Sequence, residues 1–324
     1  MLIVQKFGGS SIADGDRLRR AAGICMRQRQ NGNEVVVVVS AMGDTTDLLA
    51  DRARVLGGKP SPREMDALIT TGEQQSAALL VMTMESLGIP AVSLAGWQAG
   101  IYTDCRYGDS DIRLIAPVRI REALSRGRVP VVTGFQGVCA AGDITSLGRG
   151  GSDTTAVALA AALESDCCEI YTDVDGIYTA DPRLIPDAVK LGAIDYRDML
   201  ALAEAGSQVL HAKSVELAMA NSVVIHLLSS FTDVPGSQVR ALRDGSRPDF
   251  AGITHSRASG EISLAGKAAD AAALSRAVLL LAAEGIEVLS GSAGSGRISV
   301  LVEEAERPRA MQLLHREMIL DALK

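Results

Sequence analysis

The chain has 324 residues, 47% of them hydrophobic and 22% charged, which is enough for two ordinary globular domains and excludes a disordered or collagen-like protein. Its 32 Lys and Arg residues against 39 Asp and Glu residues give a formal charge of −7, which argues against nucleic acid or an anionic membrane as partner. No apolar run approaches the ~20 residues that cross a bilayer, and the amino terminus lacks a cleavable apolar leader. We therefore expect a cytoplasmic protein whose partner is a small molecule or a protein.

The five cysteines are odd in number and show no C-x-x-C spacing; they are Cys25, Cys105, Cys139, Cys167 and Cys168. This pattern indicates neither a disulfide framework nor a zinc site. We expect all five to be reduced packing residues.

Strand-like runs alternate with helix-length segments from the start of the chain, which predicts an α/β domain around a largely parallel sheet. The clearest strand is Val35 to Ser40, whose apolar character is typical of a strand covered by helices on both faces. The other predicted strands are 2–7, 91–94, 129–133, 169–172 and 223–227. The predicted helices are 14–30, 62–87, 109–125, 153–163, 196–203 and 213–220.

The alternation stops near Ser229, where the chain becomes rich in turn-forming residues. We therefore predict a first domain at 1–232, a linker at 233–249 and a small second domain at 250–324. The second domain reads as strand 262–264, helix 268–284, strand 287–289, strand 297–302 and helix 308–318. This βαββα order predicts a ferredoxin-like lobe. Its first helix is apolar on every side and needs cover from more than one direction, which a dimer contact would supply.

Three glycine-bearing loops follow strands, at 6–11, 40–47 and 148–155. One such loop would be an ordinary strand-to-helix turn, but three at the carboxyl ends of parallel strands would face one ligand crevice. Glycines let backbone N–H groups approach phosphate oxygens, and a following helix adds the positive end of its dipole. Lys6 ends the first strand, where its ammonium can reach a transferring phosphate. The loops match neither the P-loop nor the dinucleotide-binding motif, so the pattern favours another kind of nucleotide site.

Five segments together carry a family resemblance: KFGGSS at 6–11, VSAMG at 39–43, TGE at 71–73, GRGGSDTTA at 148–156 and TDVDGIYTADPR at 172–183. They resemble aspartate kinase, of the amino-acid kinase superfamily. The stretch GRISVLV at 296–302, followed by a helix, resembles an ACT domain. The resemblance implies a three-layer α/β sandwich around a mainly parallel sheet, plus a small ferredoxin-like ACT lobe. It also implies ATP-dependent phosphorylation of the L-aspartate β-carboxylate to 4-phospho-L-aspartate and ADP, the first step toward lysine, threonine and methionine.

The resemblance also implies the roles of individual residues. Lys6 would stabilise the transferring phosphoryl group, and Asp153 would orient that lysine. Arg149 would hold the substrate α-carboxylate in a bidentate fork, and Glu73 would take the α-ammonium. The other substrate-binding residues would be Ser40, Thr46, Phe135 and Ser152. The other nucleotide-binding residues would be Gly8, Gly9, Ser10, Thr172, Asp173, Tyr178, Asp181 and Arg183.

The chemistry of the residues agrees with this activity. A carboxylate acceptor with a pKa near ~4 is already an anion at neutral pH and needs no general base. Such a reaction needs positioning and charge neutralisation instead. Mg²⁺ is expected to enter with ATP and to keep most of its waters, so no metal site built by the protein is expected. The expected assembly is a homodimer or higher homo-oligomer.

Several readings stay open at the level of sequence. Gln208 stands where the family has a lysine beside the nucleotide, and one ACT-like lobe stands where aspartate kinases typically have two. The alternatives are therefore a paralogue acting on another carboxylate and a non-catalytic regulatory subunit. If Arg149 and Asp153 have only a structural role, they would form a surface ion pair. The lobe would either dimerise or bind an inhibitor such as lysine or threonine.

Overall fold

The computed structural model describes residues 1–321, and their contacts divide the chain into two compact units. Unit 1 contains residues 1–175 and 220–235, and unit 2 contains residues 176–219 and those from 236 onward. The sequence-based division at 1–232, 233–249 and 250–324 stays a prediction. Across residues 1–321, every helix is too short or too polar to pass through a bilayer.

The secondary structure of residues 1–321 is as follows. The strands are β1 (Leu2–Phe7), β2 (Glu34–Val39), β3 (Ala91–Leu94), β4 (Ile101–Thr103), β5 (Ile112–Ile115), β6 (Val129–Thr133), β7 (Gln136–Cys139), β8 (Ile144–Ser146), β9 (Cys167–Thr172), β10 (Ile177–Tyr178), β11 (Lys190–Leu191), β12 (Ala193–Ile194), β13 (Ile225–Ser229), β14 (Ser237–Val239), β15 (Gly252–His255), β16 (Ile262–Ala265), β17 (Val288–Gly294) and β18 (Arg297–Val302). The α-helices are α1 (Gly15–Gln30), α2 (Thr45–Val55), α3 (Pro62–Ile69), α4 (Thr71–Ser86), α5 (Val118–Ser125), α6 (Gly151–Leu163), α7 (Tyr196–Glu204), α8 (Ala212–Asn221), α9 (Ala271–Ala283) and α10 (Arg307–Leu314). Two short 3₁₀ helices (Gly9–Ile12 and Asp244–Ser246) and a π-helical segment (His315–Leu320) complete the description.

The main sheet of unit 1 is parallel, as the alternating pattern predicted. Its strands lie in the order β13-β9-β1-β2-β6-β3, and each neighbouring pair runs parallel. Val35, Val37 and Val39 of β2 pack with α1 and α4 in one core. Val36 and Val38 point to the other face and are 0% exposed, so helices or loops cover both faces. The contacts of α6 with β1 and β9 supply that second layer, and the predicted three-layer α/β fold is confirmed.

A small second sheet in unit 1 corrects the expectation for two cysteines. Its strands lie in the order β5-β4-β7-β8, and β4 runs parallel to β7 with Thr103 opposite Cys139. Cys105 follows β4, so this register brings it to Cys139 with a Cα–Cα distance of 5.3 Å, and the two form a disulfide. The expectation of reduced cysteines was wrong here because strand pairing, not sequence spacing, brings the two residues together.

Two predicted helices are divided in the structure. The segment predicted as one helix at 62–87 forms α3 and α4, which meet at Thr70. The Thr70 hydroxyl donates to the Asp66 carbonyl oxygen at 2.7 Å and closes the last turn of α3. The segment predicted as a helix at 109–125 begins as strand β5, and α5 starts only after Pro117. Proline has no amide N–H and biases the preceding residue toward extended backbone, which separates the two elements.

Unit 2 contains the lobe predicted from the βαββα order. The elements β16, α9, β17, β18 and α10 follow in that sequence. Their antiparallel sheet has the order β15-β16-β18-β17, so β15, which the sequence did not predict and which precedes the βαββα elements, adds a fourth strand beside β16. The core of this unit contains Leu264, Leu281 and Ile298, all 0% exposed. Elsewhere in unit 2, β12 and β14 form a parallel pair.

Candidate active site

The centre of the candidate site is an ion pair between Lys6 and Asp153. Lys6 is the second-last residue of the central strand β1, and Asp153 lies in the first turn of α6. Lys6 Nζ lies 2.6 Å from Asp153 Oδ1, and the two side chains are 10% and 15% exposed. Apart from this ion pair, Asp153 Oδ1 has no partner among the described residues. The pair is therefore held close together and is largely buried, with part of each side chain still exposed.

The first glycine loop lies directly against the lysine. A methyl group on Gly8 would lie 3.5 Å from Lys6 Nζ, and one on Gly9 would lie 2.6 Å from the Ala41 carbonyl oxygen. The Gly43 N–H donates to the Gly9 carbonyl oxygen at 3.1 Å, so the first two loops pack on each other. Ser10 is exposed on the short 3₁₀ helix that follows. Bare backbone therefore borders the lysine, as a phosphate-binding loop requires.

Glu73 is buried beside the second loop with one oxygen unpartnered. It lies on α4 and is 3% exposed. Glu73 Oε1 accepts from the Ala41 N–H at 3.0 Å, whereas Oε2 is buried without a hydrogen-bond partner among residues 1–321. Burial raises the pKa of Glu73 to about 7, although hydrogen bonds from backbone N–H groups lower it. A cation arriving at Oε2 would restore the carboxylate to its charged form.

The third loop presents Arg149 to solvent. Gly148 and Gly150 on either side have φ values of 72° and 70°, a left-handed conformation that glycine adopts without strain. Arg149 is exposed and forms no ion pair with a residue in the described part of the chain. The alternative of a surface ion pair between Arg149 and Asp153 is not observed, because Asp153 pairs with Lys6.

A strained turn after β6 packs against the third loop and the start of α6. Phe135 has φ 67°, its N–H donates to Thr155 Oγ1 at 3.1 Å, and its carbonyl oxygen accepts from the Leu147 N–H at 2.9 Å. A methyl group on Gly134 would come within 2.8 Å of Ser152 Oγ, so the turn packs tightly on the start of α6. Positive φ at a non-glycine residue is costly and clusters at functional sites.

Ser40 and Thr46 lie on the second loop and the helix that it opens. Ser40 follows β2, is partly buried, and donates its N–H to the Phe7 carbonyl oxygen at 3.2 Å. Thr46 is the second residue of α2 and is also partly buried. The ends of β1 and β2 therefore bring Lys6 and Ser40 to the same edge of the sheet.

The predicted nucleotide-binding residues divide between the two units. Thr172 and Asp173 lie at the end of β9, where the Gly8 N–H donates to the Tyr171 carbonyl oxygen at 3.2 Å. The other three residues belong to unit 2. They are Tyr178 on β10 and the pair Asp181 and Arg183, which form an ion pair at 2.7 Å. Hydrogen bonds from the Arg183 side chain lower the pKa of Asp181.

Sequence reasoning missed the buried acid Asp66 in unit 1. Asp66 lies on α3 and is 1% exposed. A single Asp in a helical stretch gives no sequence signal for burial, since acidic residues usually lie on the solvent face. Within residues 1–321 no cluster of three or more His, Cys, Asp or Glu side chains is arranged to hold a metal ion.

The profile of the amino acid kinase family matches residues 1–229, which cover the ion pair and all three loops. The chain belongs to this family. It is 49% identical over 269 residues to an aspartokinase of Mycolicibacterium smegmatis, a match that covers 82% of this chain and 64% of that relative. The chain thus spans less than two thirds of that relative's length.

Two further matches agree with the predicted resemblance to aspartate kinase. That prediction is confirmed. An aspartokinase of Corynebacterium efficiens is 44% identical over 325 residues, covering 97% of this chain and 77% of that relative. The crystal structure of E. coli aspartokinase III in complex with aspartate and ADP in the R-state matches with a TM-score of 0.85 at 21% identity, over 98% of this chain and 100% of that one. At 21% identity, the match to the E. coli structure shows a similar fold.

Proposed function

We propose that the chain transfers the γ-phosphoryl group of ATP to the β-carboxylate of L-aspartate, giving 4-phospho-L-aspartate and ADP. The observation that carries this proposal is the Lys6–Asp153 ion pair at 2.6 Å, bordered by the glycine loops. The named activity of the aspartokinase relatives gives independent support.

Lys6 would neutralise charge on the phosphoryl group as it moves. Phosphoryl transfer asks for positioned charge more than for covalent help, and an ammonium beside bare backbone offers both charge and space. Asp153 would hold the lysine in place in the absence of ATP. A carboxylate acceptor brings no proton to remove, so neither residue needs to act as a general base.

Arg149 and Glu73 would recognise the two charged groups at the α-carbon of aspartate. The Arg149 guanidinium is exposed and has no ion pair within residues 1–321, so it is available for a carboxylate fork. Glu73 Oε2 is buried and unpartnered, which suits an ammonium donor. The residues proposed to hold the remaining polar atoms of the acceptor are Ser40, Thr46, Phe135 and Ser152.

The nucleotide would lie along the first loop. Gly8, Gly9 and Ser10 would face its phosphates, and Thr172 and Asp173 would border it, since the end of β9 adjoins Gly8. Tyr178, Asp181 and Arg183 stay predicted nucleotide contacts in unit 2. The residues around Lys6 fit a phosphate chain, and the described residues 1–321 contain no group of three His, Cys, Asp or Glu side chains that could hold a metal ion. Mg²⁺ would therefore be held chiefly by the phosphates and its own waters, and would supply charge neutralisation there.

The test is a coupled assay of ADP release with a panel of acceptor acids. Aspartate-dependent ADP release that is lost in Lys6→Ala would support the proposal. Rapid turnover of another acid without turnover of aspartate would favour a paralogue. Calorimetry that finds no Mg·ATP binding would favour a non-catalytic subunit.

We also infer that the chain assembles through unit 2. On α9 the side chain of Leu279 is 70% exposed, and β17, an outer strand of its sheet, has Leu289 48% exposed. Sedimentation of wild type and Leu279→Glu tests this, with Leu114→Glu as an exposed control in unit 1. A monomeric wild type would contradict it. The ACT identity of the lobe, its inhibitor-binding alternative and the cytoplasmic location stay predictions.

A further inference from the structure

Asp66 is a buried carboxylate held by three hydrogen bonds. It lies on α3, is 1% exposed, and forms no ion pair with another residue of the described chain. Its Oδ2 accepts from the Gly108 N–H and the Ser146 N–H, each at 2.9 Å, and its Oδ1 accepts from the Ser146 hydroxyl at 2.7 Å. Burying an acid is costly unless its oxygens are satisfied, so these three hydrogen bonds hold the two partner segments against α3.

The two segments that donate to Asp66, around Gly108 and Ser146, both lie close to Arg149 in the structure. Ser146 is the last residue of β8 and precedes Arg149 by three positions in the chain. The Ser146 carbonyl oxygen also accepts from the Ser110 N–H at 2.8 Å, so the segment around Gly108 is tied to the same point. Within that segment, Asp109 Oδ1 would lie 2.6 Å from a methyl group on Gly148, directly beside Arg149. Asp66 therefore holds the strand side of the third loop, which presents Arg149 and is called the Arg149 loop below.

Arg149 depends on this backbone for its position. Its side chain is exposed, without an ion pair to the described residues, and glycines with φ 72° and 70° flank it. On the helix side, the Gly151 N–H donates to the Gly148 carbonyl oxygen at 3.1 Å. On the strand side, Ser146 is held by its hydrogen bonds to Asp66, and the Leu147 N–H donates to the Phe135 carbonyl oxygen at 2.9 Å. A guanidinium that binds a carboxylate through two parallel hydrogen bonds loses affinity steeply when its plane is displaced. The attachment of Ser146 to Asp66 therefore affects how well Arg149 can bind a ligand.

We propose that Asp66 is a positioning residue that fixes the Arg149 loop and thereby sets the affinity for the α-carboxylate of the acceptor. It touches neither reacting atom and acts through Ser146 and Gly108. The proposal rests on the proposed function in one respect, because it takes Arg149 as the carboxylate ligand. The position of the loop itself is independent of that role.

The kinetic test is Asp66→Asn, which keeps the size of the side chain but cannot accept from all three donors. We expect KM for aspartate to rise about tenfold, while KM for ATP stays within about twofold, because the lysine and its glycine loop are untouched. Ser146→Ala removes one of the three hydrogen bonds and should raise KM for aspartate about threefold. A folded Asp66→Asn protein with unchanged KM for aspartate, or with an equal rise for both substrates, would overturn the proposal.

Asp143→Asn is the matched control. Asp143 accepts hydrogen bonds from Arg63 of α3 at 2.9 and 2.6 Å and from the Tyr107 hydroxyl at 2.8 Å, and within residues 1–321 it has no hydrogen bond to Asp66 or Ser146. Its substitution weakens the attachment of α3 and of Tyr107 but leaves the three hydrogen bonds of Asp66 in place. Both KM values should therefore stay at their wild-type levels, and a rise equal to that of Asp66→Asn would reduce the role of Asp66 to general support of α3.

A second measurement does not depend on activity. Trypsin cleaves after arginine, so cleavage after Arg149, followed by mass spectrometry, reports opening of this loop. We expect about tenfold faster cleavage there in Asp66→Asn, with cleavage after the exposed Arg126 unchanged. Equal cleavage after Arg149 in both proteins would overturn the positioning role. Faster cleavage in a protein that does not turn over aspartate would support the positioning role and overturn the proposed acceptor instead.

Discussion

Binding of an amino-acid acceptor should release a proton from Glu73. In the protein without ligand, burial raises the pKa of Glu73 to about 7, and one of its oxygens has no partner among the described residues. An ammonium at that oxygen favours the charged carboxylate and should lower the pKa of Glu73. The acid therefore ionises as the acceptor binds.

The number of protons released cannot exceed the fraction of Glu73 that is protonated before binding. With a pKa of about 7, roughly 0.9 of Glu73 is protonated near pH 6. Aspartate binding should therefore release up to about 0.9 proton near pH 6. Near pH 8 the same carboxyl is already mostly ionised, and the release should fall to about 0.1 proton.

Isothermal calorimetry in buffers of different ionisation enthalpy measures this quantity directly. The slope of observed enthalpy against buffer enthalpy gives the protons released, and Glu73→Gln should bring it close to zero near pH 6. A wild-type slope of zero near pH 6 would refute the reasoning, as would a slope that Glu73→Gln leaves intact. The second result would place the linked proton on another group.

Four further outcomes follow from the same structure. The pKa of Glu73 is about 7 in the folded protein against an ordinary 4.5, so the folded state binds this proton more tightly. The free energy of unfolding should therefore fall by about 3 kcal/mol as the pH rises from about 4.5 to about 7, and denaturation of Glu73→Gln should lack this fall. Lys6→Ala should lower kcat about a hundredfold, and a change in KM alone would contradict its role. Arg149→Lys should raise KM for aspartate about tenfold, with a stability change within about 0.5 kcal/mol; an unchanged aspartate dependence would move the carboxylate site elsewhere. The Cys105–Cys139 disulfide closes a separation of 34 residues, so its reduction should lower the free energy of unfolding by about 4 kcal/mol at most. The double Cys→Ser variant should be insensitive to reductant. An unfolding midpoint of the wild type that does not change on reduction would contradict this expectation.

The sequence predicted the parts of this protein that depend on local chemistry. Val35 to Val39 is an uninterrupted apolar run, and only a strand covered on both faces suits it. Lys6 was singled out as a lysine at the end of an apolar strand beside two glycines, and the structure places its ammonium 2.6 Å from Asp153. That contact joins residues at opposite ends of a long sequence interval, and the family resemblance, rather than their spacing, predicted it.

What the sequence could not predict depends on register between distant segments. Cys105 and Cys139 meet because β4 lies beside β7, and nothing in the residues near either cysteine specifies that pairing. Asp66 is hidden for the same reason, since its donors come from segments 42 and 80 residues away. Asp66 and the disulfide both restrain the segment after β4, which reaches the loop that presents Arg149. Within unit 1, therefore, the motifs supply the charged groups, and contacts invisible to those motifs determine how rigidly the groups are held.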